Sequence, residues 1–426
     1  MADELAFGST ATHAVPASAI DQVIGQEHAV EVIRLAARQR RAVLLVGEPG
    51  TGKSMLAAAM AELMPAGSAC DVLVHANPDA RTLPRVEEVP AGTGSRVVEQ
   101  ANARHRQERQ GIAYLLGVAI GAVLLLGVLV ALVVTPYAAA GGAFAAILLV
   151  VLRRRLLSVP PQAGVRLLID RSGQERAPFV DATGAQAGGL LGDVRHDPYQ
   201  SGGFETEAHE LVEPGAIHRA HGGVLFVDEI SSLSLESQQR LLTALQEGRL
   251  AITGRHSGSS GAMVRTDPVP CDTVLVVAAN PEELPSIHPA LRSRLRGFGF
   301  EVLTADSFER TPEHEAAIAR FVAQEIRRDG RIPHFAGDAV AAVVEEAARR
   351  AEPGRLTLRL RELGGLVRAA GDLAAAEGVP LVDGRHVEEA RALALSIEEQ
   401  AAMRASRERG VLRQIPVEGH DRQTRA

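Results

Sequence analysis

The chain has 426 residues, a net charge of −7 from 45 basic and 52 acidic side chains, and 46% apolar residues. Of the basic residues 44 are arginine and one, Lys53, is lysine, so no polylysine tail or basic stripe marks a non-specific nucleic-acid binder. The two cysteines, Cys70 and Cys271, exclude a disulfide framework and a four-thiolate zinc site, while length and apolar content suffice for two or three packed domains.

Residues 1–19 read as a small polar, flexible arm without the apolar run of a signal peptide. The run Ala42-Val43-Leu44-Leu45-Val46 has the composition of a buried strand. It feeds into Gly47-Glu48-Pro49-Gly50-Thr51-Gly52-Lys53-Ser54, and Met55, Leu56, Met60 and Leu63 then keep helical spacing. Strand, glycine-rich loop and helix form the context that a phosphate-binding loop requires. In such a loop backbone N–H groups turn inward around phosphates at the positive end of the helix. The Lys53 ammonium is placed to reach the β- and γ-phosphates, and the Ser54 hydroxyl to hold Mg2+.

Gly111 to Leu152 contains no charged residue. Ile112 to Val134 is 23 apolar or small residues, about 34 Å of helix and enough to cross a bilayer. Thr135-Pro136-Tyr137 interrupts the run, and Ala138 to Leu152 supplies a shorter second segment. Arg104, Arg106 and Arg109 precede the pair and Arg153, Arg154 and Arg155 follow it, which favours both flanks on the cytoplasmic side of a cell membrane. Two spans without an internal charge offer no ion path, so the expected role is an anchor.

Further on, Gly223-Val224-Leu225-Phe226-Val227 reads as a strand that delivers Asp228 and Glu229 to its carboxyl end, where open α/β sheets bind ligands. Asp228 suits a Mg2+ shell and Glu229 suits polarising an attacking water. The strand Thr273 to Ala279 ends in Asn280, whose amide can bond a water or a γ-phosphate. Four histidines, His196, His209, His218 and His221, precede or adjoin the Asp-Glu strand, but no cysteine or tight carboxylate spacing supports a metal site. Gly254 to Gly261 reads as a hairpin tip. The expected architecture is α/β, a doubly wound sheet over 20–110 and 156–305 interrupted by a transmembrane helical hairpin at 111–155. A helical lid follows over 306–405, and 406–426 form a tail or linker.

These motifs resemble the AAA+ ATPases, and Val23-Ile24-Gly25-Gln26-Glu27 is similar to that family's adenine-contacting segment. The run from Glu213 to Gly223 resembles the branch holding Lon proteases, magnesium chelatases and MCM-type helicases. The hairpin between the loop and the Asp-Glu pair, with Gly192-Asp193-Val194-Arg195-His196-Asp197-Pro198 after it, is similar to the membrane-bound archaeal-type Lon proteases. The resemblance implies ATP and Mg2+ as ligands, bound by Ile24, Gly25 and Gly47 to Ser54, with Ser54 and Asp228 on the metal. It makes Glu229 the water-activating acid, Asn280 the first sensor and Arg361, in preference to Arg359, the second. Arg294 becomes an arginine finger serving a neighbour in a homohexameric ring, and Leu190, Leu191 and Tyr199 are candidates for a loop that grips protein substrates.

Relatives in that family carry a Ser–Lys peptidase dyad. With Lys53 its only lysine, this chain cannot build one, and no Gly-x-Ser-x-Gly elbow is present. The expectation is an ATP-driven unfolding module that lacks its own peptidase domain, and the resemblance implies a partner peptidase domain in trans or on a longer chain. Aromatic content of 3% without tryptophan disfavours base stacking, and no nucleic-acid partner is expected. The alternatives are a chelatase- or MCM-like motor, which nucleic-acid-stimulated hydrolysis would favour, and a nucleotide-dependent scaffold without turnover.

Overall fold

A computed structural model of the chain describes residues 9–65, 70–133, 137–157, 164–195, 206–255, 263–395, 397, 400–401 and 404. Tyr199, His196, most of the 254–261 tip and the 406–426 tail lie outside the described residues. The chain divides into two compact units, one of residues 32–46 and 57–302 and one of 1–31, 47–56 and 303–426.

The first unit is built on a five-stranded sheet. Helix α1 (Glu27–Gln39) leads into β1 (Val43–Val46), and α2 (Lys53–Leu63) follows the loop. After an insertion come β5 (Phe179–Asp181) and β6 (Val224–Asp228), then the separate antiparallel pair β7 (Arg249–Arg255) and β8 (Met263–Pro270), then β9 (Val274–Ala279) and β10 (Phe300–Leu303). The spatial order is β10-β1-β9-β6-β5, so the first strand sits between the last two and the second lies at an edge. β1 pairs parallel with β9, β9 with β6, and β6 with β5. All four residues of β1 and all six of β9 are buried, the continuous apolar run of a sheet covered on both faces. Leu44, Leu225 and Leu275 meet Leu241 of α6 (Leu235–Glu247) and Leu291 of α7 (Pro289–Phe298) in one core. Leu190 and Leu191, expected in a substrate loop, are fully buried in this same core, in the short helix α5 (Ala187–Leu191). The resemblance alone implies a place for them in a substrate loop, whereas here both side chains are part of the sheet's core.

The insertion between β1 and β5 has a sheet of its own, β2 (Cys70–His75) flanked antiparallel by β3 (Arg85–Pro90) and β4 (Val165–Ile169). From it rise α3 (Gly94–Val133) and α4 (Tyr137–Leu157). α3 is a continuous helix of 40 residues, about 60 Å, so the helix starts well before the apolar stretch at 111. Its first turn is pinned by the buried Asp71, whose carboxylate accepts the Gly94 N–H at 2.8 Å and the Arg171 N–H at 2.7 Å. A carboxylate there also meets the positive end of the helix. The two helices approach closely, because an ideal Cβ on Gly142 would lie 2.9 Å from Gly127 Cα.

Tyr114, Leu115, Leu125, Phe144 and Leu148 of this pair are exposed. Among the described residues only Gly94–Val130 is long and apolar enough to cross a membrane by length and composition. The expected second span is not matched in the same way. α4 includes Arg153 to Arg155 within its helical range, leaving Tyr137 to Leu152 charge-free, roughly 24 Å and short of a 30 Å hydrocarbon core.

The second unit holds α8 (Pro312–Asp329), α9 (Gly337–Arg349), α10 (Leu360–Glu377) and α11 (Gly384–Leu393) around Ile318, Val340, Val343, Leu363 and Val367. Ile24 joins that core. Residues 9–18, part of the arm expected to be flexible, include the 3-10 turn Thr10–Thr12. Thr10 is buried, and its hydroxyl accepts the Phe335 N–H at 2.9 Å.

His218, fully buried in the sheet unit, accepts the Gly215 N–H at Nδ1 and bonds the Leu250 carbonyl through Nε2, which fixes the neutral tautomer. Burial pushes its pKa from 6.5 down to about 4. The folded value lies below the unfolded one, so the unfolded chain binds the extra proton between those pH values. The stabilisation is complete above pH 6.5 and is lost as pH falls to about 4, roughly 3 kcal/mol in all. His218→Gln, which keeps a donor and an acceptor, is expected to flatten that part of the stability–pH curve in denaturant titrations. An unchanged slope would contradict the assignment.

Candidate functional site

Lys53 opens α2 and is buried, donating from Nζ to the carbonyls of Gly47 at 2.6 Å and Glu48 at 3.0 Å. Gly50 and Gly52 have φ of +85° and +89°, a region glycine enters without a Cβ penalty. At Gly50 space is also short, because an added Cβ would lie 2.8 Å from Arg361 Cβ. A Cβ at Gly47 would collide with the Thr304 hydroxyl. Thr51 donates to the Glu48 carbonyl at 2.9 Å and shares a 2.9 Å hydroxyl contact with Thr304. Ser54 is exposed, its hydroxyl open to a metal or water.

The lid braces this loop. The Leu360 N–H donates to the Gly50 carbonyl at 3.1 Å. Gln26, buried, donates to the carbonyls of Thr51 and Ala305 and accepts the Ala305 N–H. Its neighbour Gly25 sits at φ +65°, with Leu358 Cδ2 2.6 Å from where a Cβ would stand, and Ile24 is buried in the lid core. Arg359 lies 3.9 Å from the Glu48 carboxylate. Among the described residues the Arg361 guanidinium makes no hydrogen bond or ion pair, so of the two it is the one uncommitted.

A second set of groups stands on the sheet. Val46 is opposite Ala279, and Ala278 is opposite Asp228, so β1, β9 and β6 end side by side. Asp228 is the first residue of β6 that is not buried. Its N–H donates to the Thr183 hydroxyl at 3.0 Å, which in turn donates to Asp181 Oδ1 at 2.6 Å. Glu229 is exposed and left-handed, with φ 53° and ψ 66°, a conformation it shares among non-glycine described residues only with Arg40. Such a backbone costs about 1–2 kcal/mol and is held by the Ser232 N–H on the Glu229 carbonyl at 2.8 Å. Asn280 follows β9, half-buried, and its N–H donates to Glu283 Oε2 at 2.8 Å.

Arg294 is not brought to these groups. It lies on α7 beside a cleft of about 310 Å3 lined by Ala42, Thr273 and Val274, at the amino ends of β1 and β9. Its guanidinium donates to the Leu245 carbonyl at 3.1 Å and sits 5.3 Å from the Phe298 ring centroid. Among the described residues no group of three or more His, Cys, Asp or Glu side chains could hold a metal ion. Asp228 offers one partly exposed carboxylate and Ser54 one exposed hydroxyl, each a donor type that Mg2+ accepts while keeping most of its shell on phosphate and water. Sequence reasoning missed Thr183, Thr304 and Glu283, and it had Gln26 only within the segment likened to an adenine contact. Only Glu283 left a local signal, an acid three residues after an asparagine.

Three family models match the chain. The archaeal LonB AAA+ ATPase LID domain matches residues 334–394, the sigma-54 interaction domain residues 165–267, and magnesium chelatase subunit ChlI residues 19–82. An archaeal Lon protease of Thermococcus kodakarensis is 52% identical over 93% of this chain and 62% of its own length. One of Archaeoglobus fulgidus is 51% identical over 93% of this chain and 64% of its own. A putative Lon protease homologue of Methanothermobacter thermautotrophicus is 37% identical over 92% of this chain and 89% of its own. The chain thus spans somewhat under two thirds of the length of the first two relatives.

The two left-handed glycines separate two costs. Gly52→Ala, with open space around it, is expected to lower stability by about 1–2 kcal/mol through its backbone alone. Gly50→Ala adds the clash with Arg361 and is expected to lose about 2–4 kcal/mol. Thermal unfolding of the nucleotide-free proteins measures both, and equal losses would contradict the packing of the lid on the loop.

Proposed function

The chain belongs to the archaeal Lon protease family, and on that premise we propose that it is the ATP-hydrolysing motor of such a system, anchored in a membrane and unfolding protein substrates. Its fold is of the AAA+ type, an α/β sheet unit with a LID domain. The observation that supports the reading is the common ending of β1, β6 and β9, with Asp228 closing β6 and Asn280 following β9, while the Gly47–Ser54 loop continues the chain after β1.

In this reading the loop N–H groups and the Lys53 ammonium bind the β- and γ-phosphates, exchanging the Gly47 and Glu48 carbonyls for phosphate oxygens. Ser54 and Asp228 hold Mg2+, which when bound supplies charge neutralisation on the phosphate oxygens. The exposed Glu229 carboxylate accepts a proton from the attacking water, and Asn280 orients that water. Arg361, without a competing partner among the described residues, stabilises charge on the γ-phosphate. Arg294 stands at the other end of its own sheet, which suits service to a neighbouring copy in a homohexameric ring. Ile24 and Gly25 border the adenine.

The uncovered apolar side chains of α3 and α4 support insertion in a bilayer, and the arginines on both flanks favour the cytoplasmic side for the ATPase. Protein substrates and a peptidase domain as partner follow from the family. Glu229→Gln is expected to bind ATP normally while phosphate release falls at least about 100-fold. Wild-type turnover in that variant would remove Glu229 from its role.

A further inference from the structure

Glu283 is half-buried in the 3-10 segment Pro281–Ser286 that follows β9. Its Oε2 accepts the Asn280 N–H at 2.8 Å, and its Oε1 accepts the Ser231 hydroxyl at 3.2 Å. Ser231 lies two residues past Glu229, in the short turn Ile230–Ser232 that caps the strained left-handed residue. One carboxylate therefore ties together two turns that follow different strands, joining residues 52 apart in sequence. A carboxylate has only acceptor sites, so both donors are drawn to it, and charge-assisted bonds are the stronger kind. Its neighbour Glu282 is exposed.

We propose that Glu283 is a positioning residue for ATP hydrolysis, fixing the Asn280 turn against the turn that carries Glu229. The proposal rests on the ATPase reading above and adds a residue to it. The carboxylate's bonds to Asn280 and Ser231 both go to the turns themselves, so the work assigned to it is geometric. A misplacement of about 1 Å between groups that must act together costs on the order of 100-fold in rate. Side chains that act on substrate hold their geometry only when a surrounding layer of hydrogen bonds locks them. The side chain's length matters, because it spans from the Asn280 N–H to the Ser231 hydroxyl.

The test compares Glu283→Ala, Glu283→Asp and Glu283→Gln in the full chain, with Glu282→Ala as control. Steady-state phosphate release gives kcat and KM, fluorescent-nucleotide titration gives the nucleotide Kd, and thermal unfolding gives Tm. Alanine and aspartate are expected to lose at least about tenfold in kcat with KM, Kd and Tm held. Glutamine is expected to restore most of the rate, since its carbonyl accepts the Asn280 N–H and its amide can donate to the Ser231 oxygen. Wild-type kcat in Glu283→Ala overturns the proposal. So does a kcat loss matched by falls in nucleotide affinity and Tm, or glutamine no better than alanine. Absence of hydrolysis in the parent chain overturns the ATPase reading itself and the proposal with it, an outcome distinct from the other three.

Discussion

The structure depends on the parallel pairing of β1, β9 and β6 in one register. Parallel strands run in the same direction, so their ends coincide only if the pairing is fixed, and a one-residue slip would exchange the two buried faces and move the strand ends out of line. β6 is apolar up to Val227 and β9 is apolar throughout, and polar residues follow both. Asp228 is the first position of β6 to escape burial, and Asn280 follows six buried residues of β9. The burial that stabilises the sheet therefore also decides where its reactive groups stand.

A second constraint acts on the loop. Gly47, Gly50 and Gly25 are each closed in by a side chain of the lid unit, respectively Thr304, Arg361 and Leu358. Their glycines are needed for space as much as for backbone freedom. Gln26 completes the arrangement with a buried amide that finds partners for both of its ends, as a buried polar group must. Through these contacts the Gly47–Ser54 loop and the helix that begins at Leu360 are parts of one compact unit. The candidate nucleotide-sensing residue Arg361 is thus placed by the same packing that shapes the loop.

Much of this was legible in the sequence. Strand, glycine loop and helix around Lys53 are contiguous, so local periodicity exposes them, and the absence of charge from Gly111 to Leu152 is visible by inspection. What was not legible depends on distant pairs. Asp71 holds Gly94 and Arg171, and Thr183 supports Asp228 across 45 residues of chain. The start of α3 at Gly94 was hidden because its polar first turns look like any surface helix. The small sheet of β2, β3 and β4 was hidden because β3 is largely exposed and carries little apolar signal. The left-handed backbone of Glu229 has no signature in residue type, since glutamate is not favoured there.

The single lysine among 44 arginines offers the most direct test. Arginine keeps the charge but replaces a compact ammonium with a planar fork that the buried Lys53 position has little room to admit. If Lys53 holds the β- and γ-phosphates, Lys53→Arg retains its fold by thermal unfolding but binds a fluorescent ATP analogue at least about tenfold more weakly. Unchanged affinity in a folded Lys53→Arg protein would contradict the account of the loop as the nucleotide site.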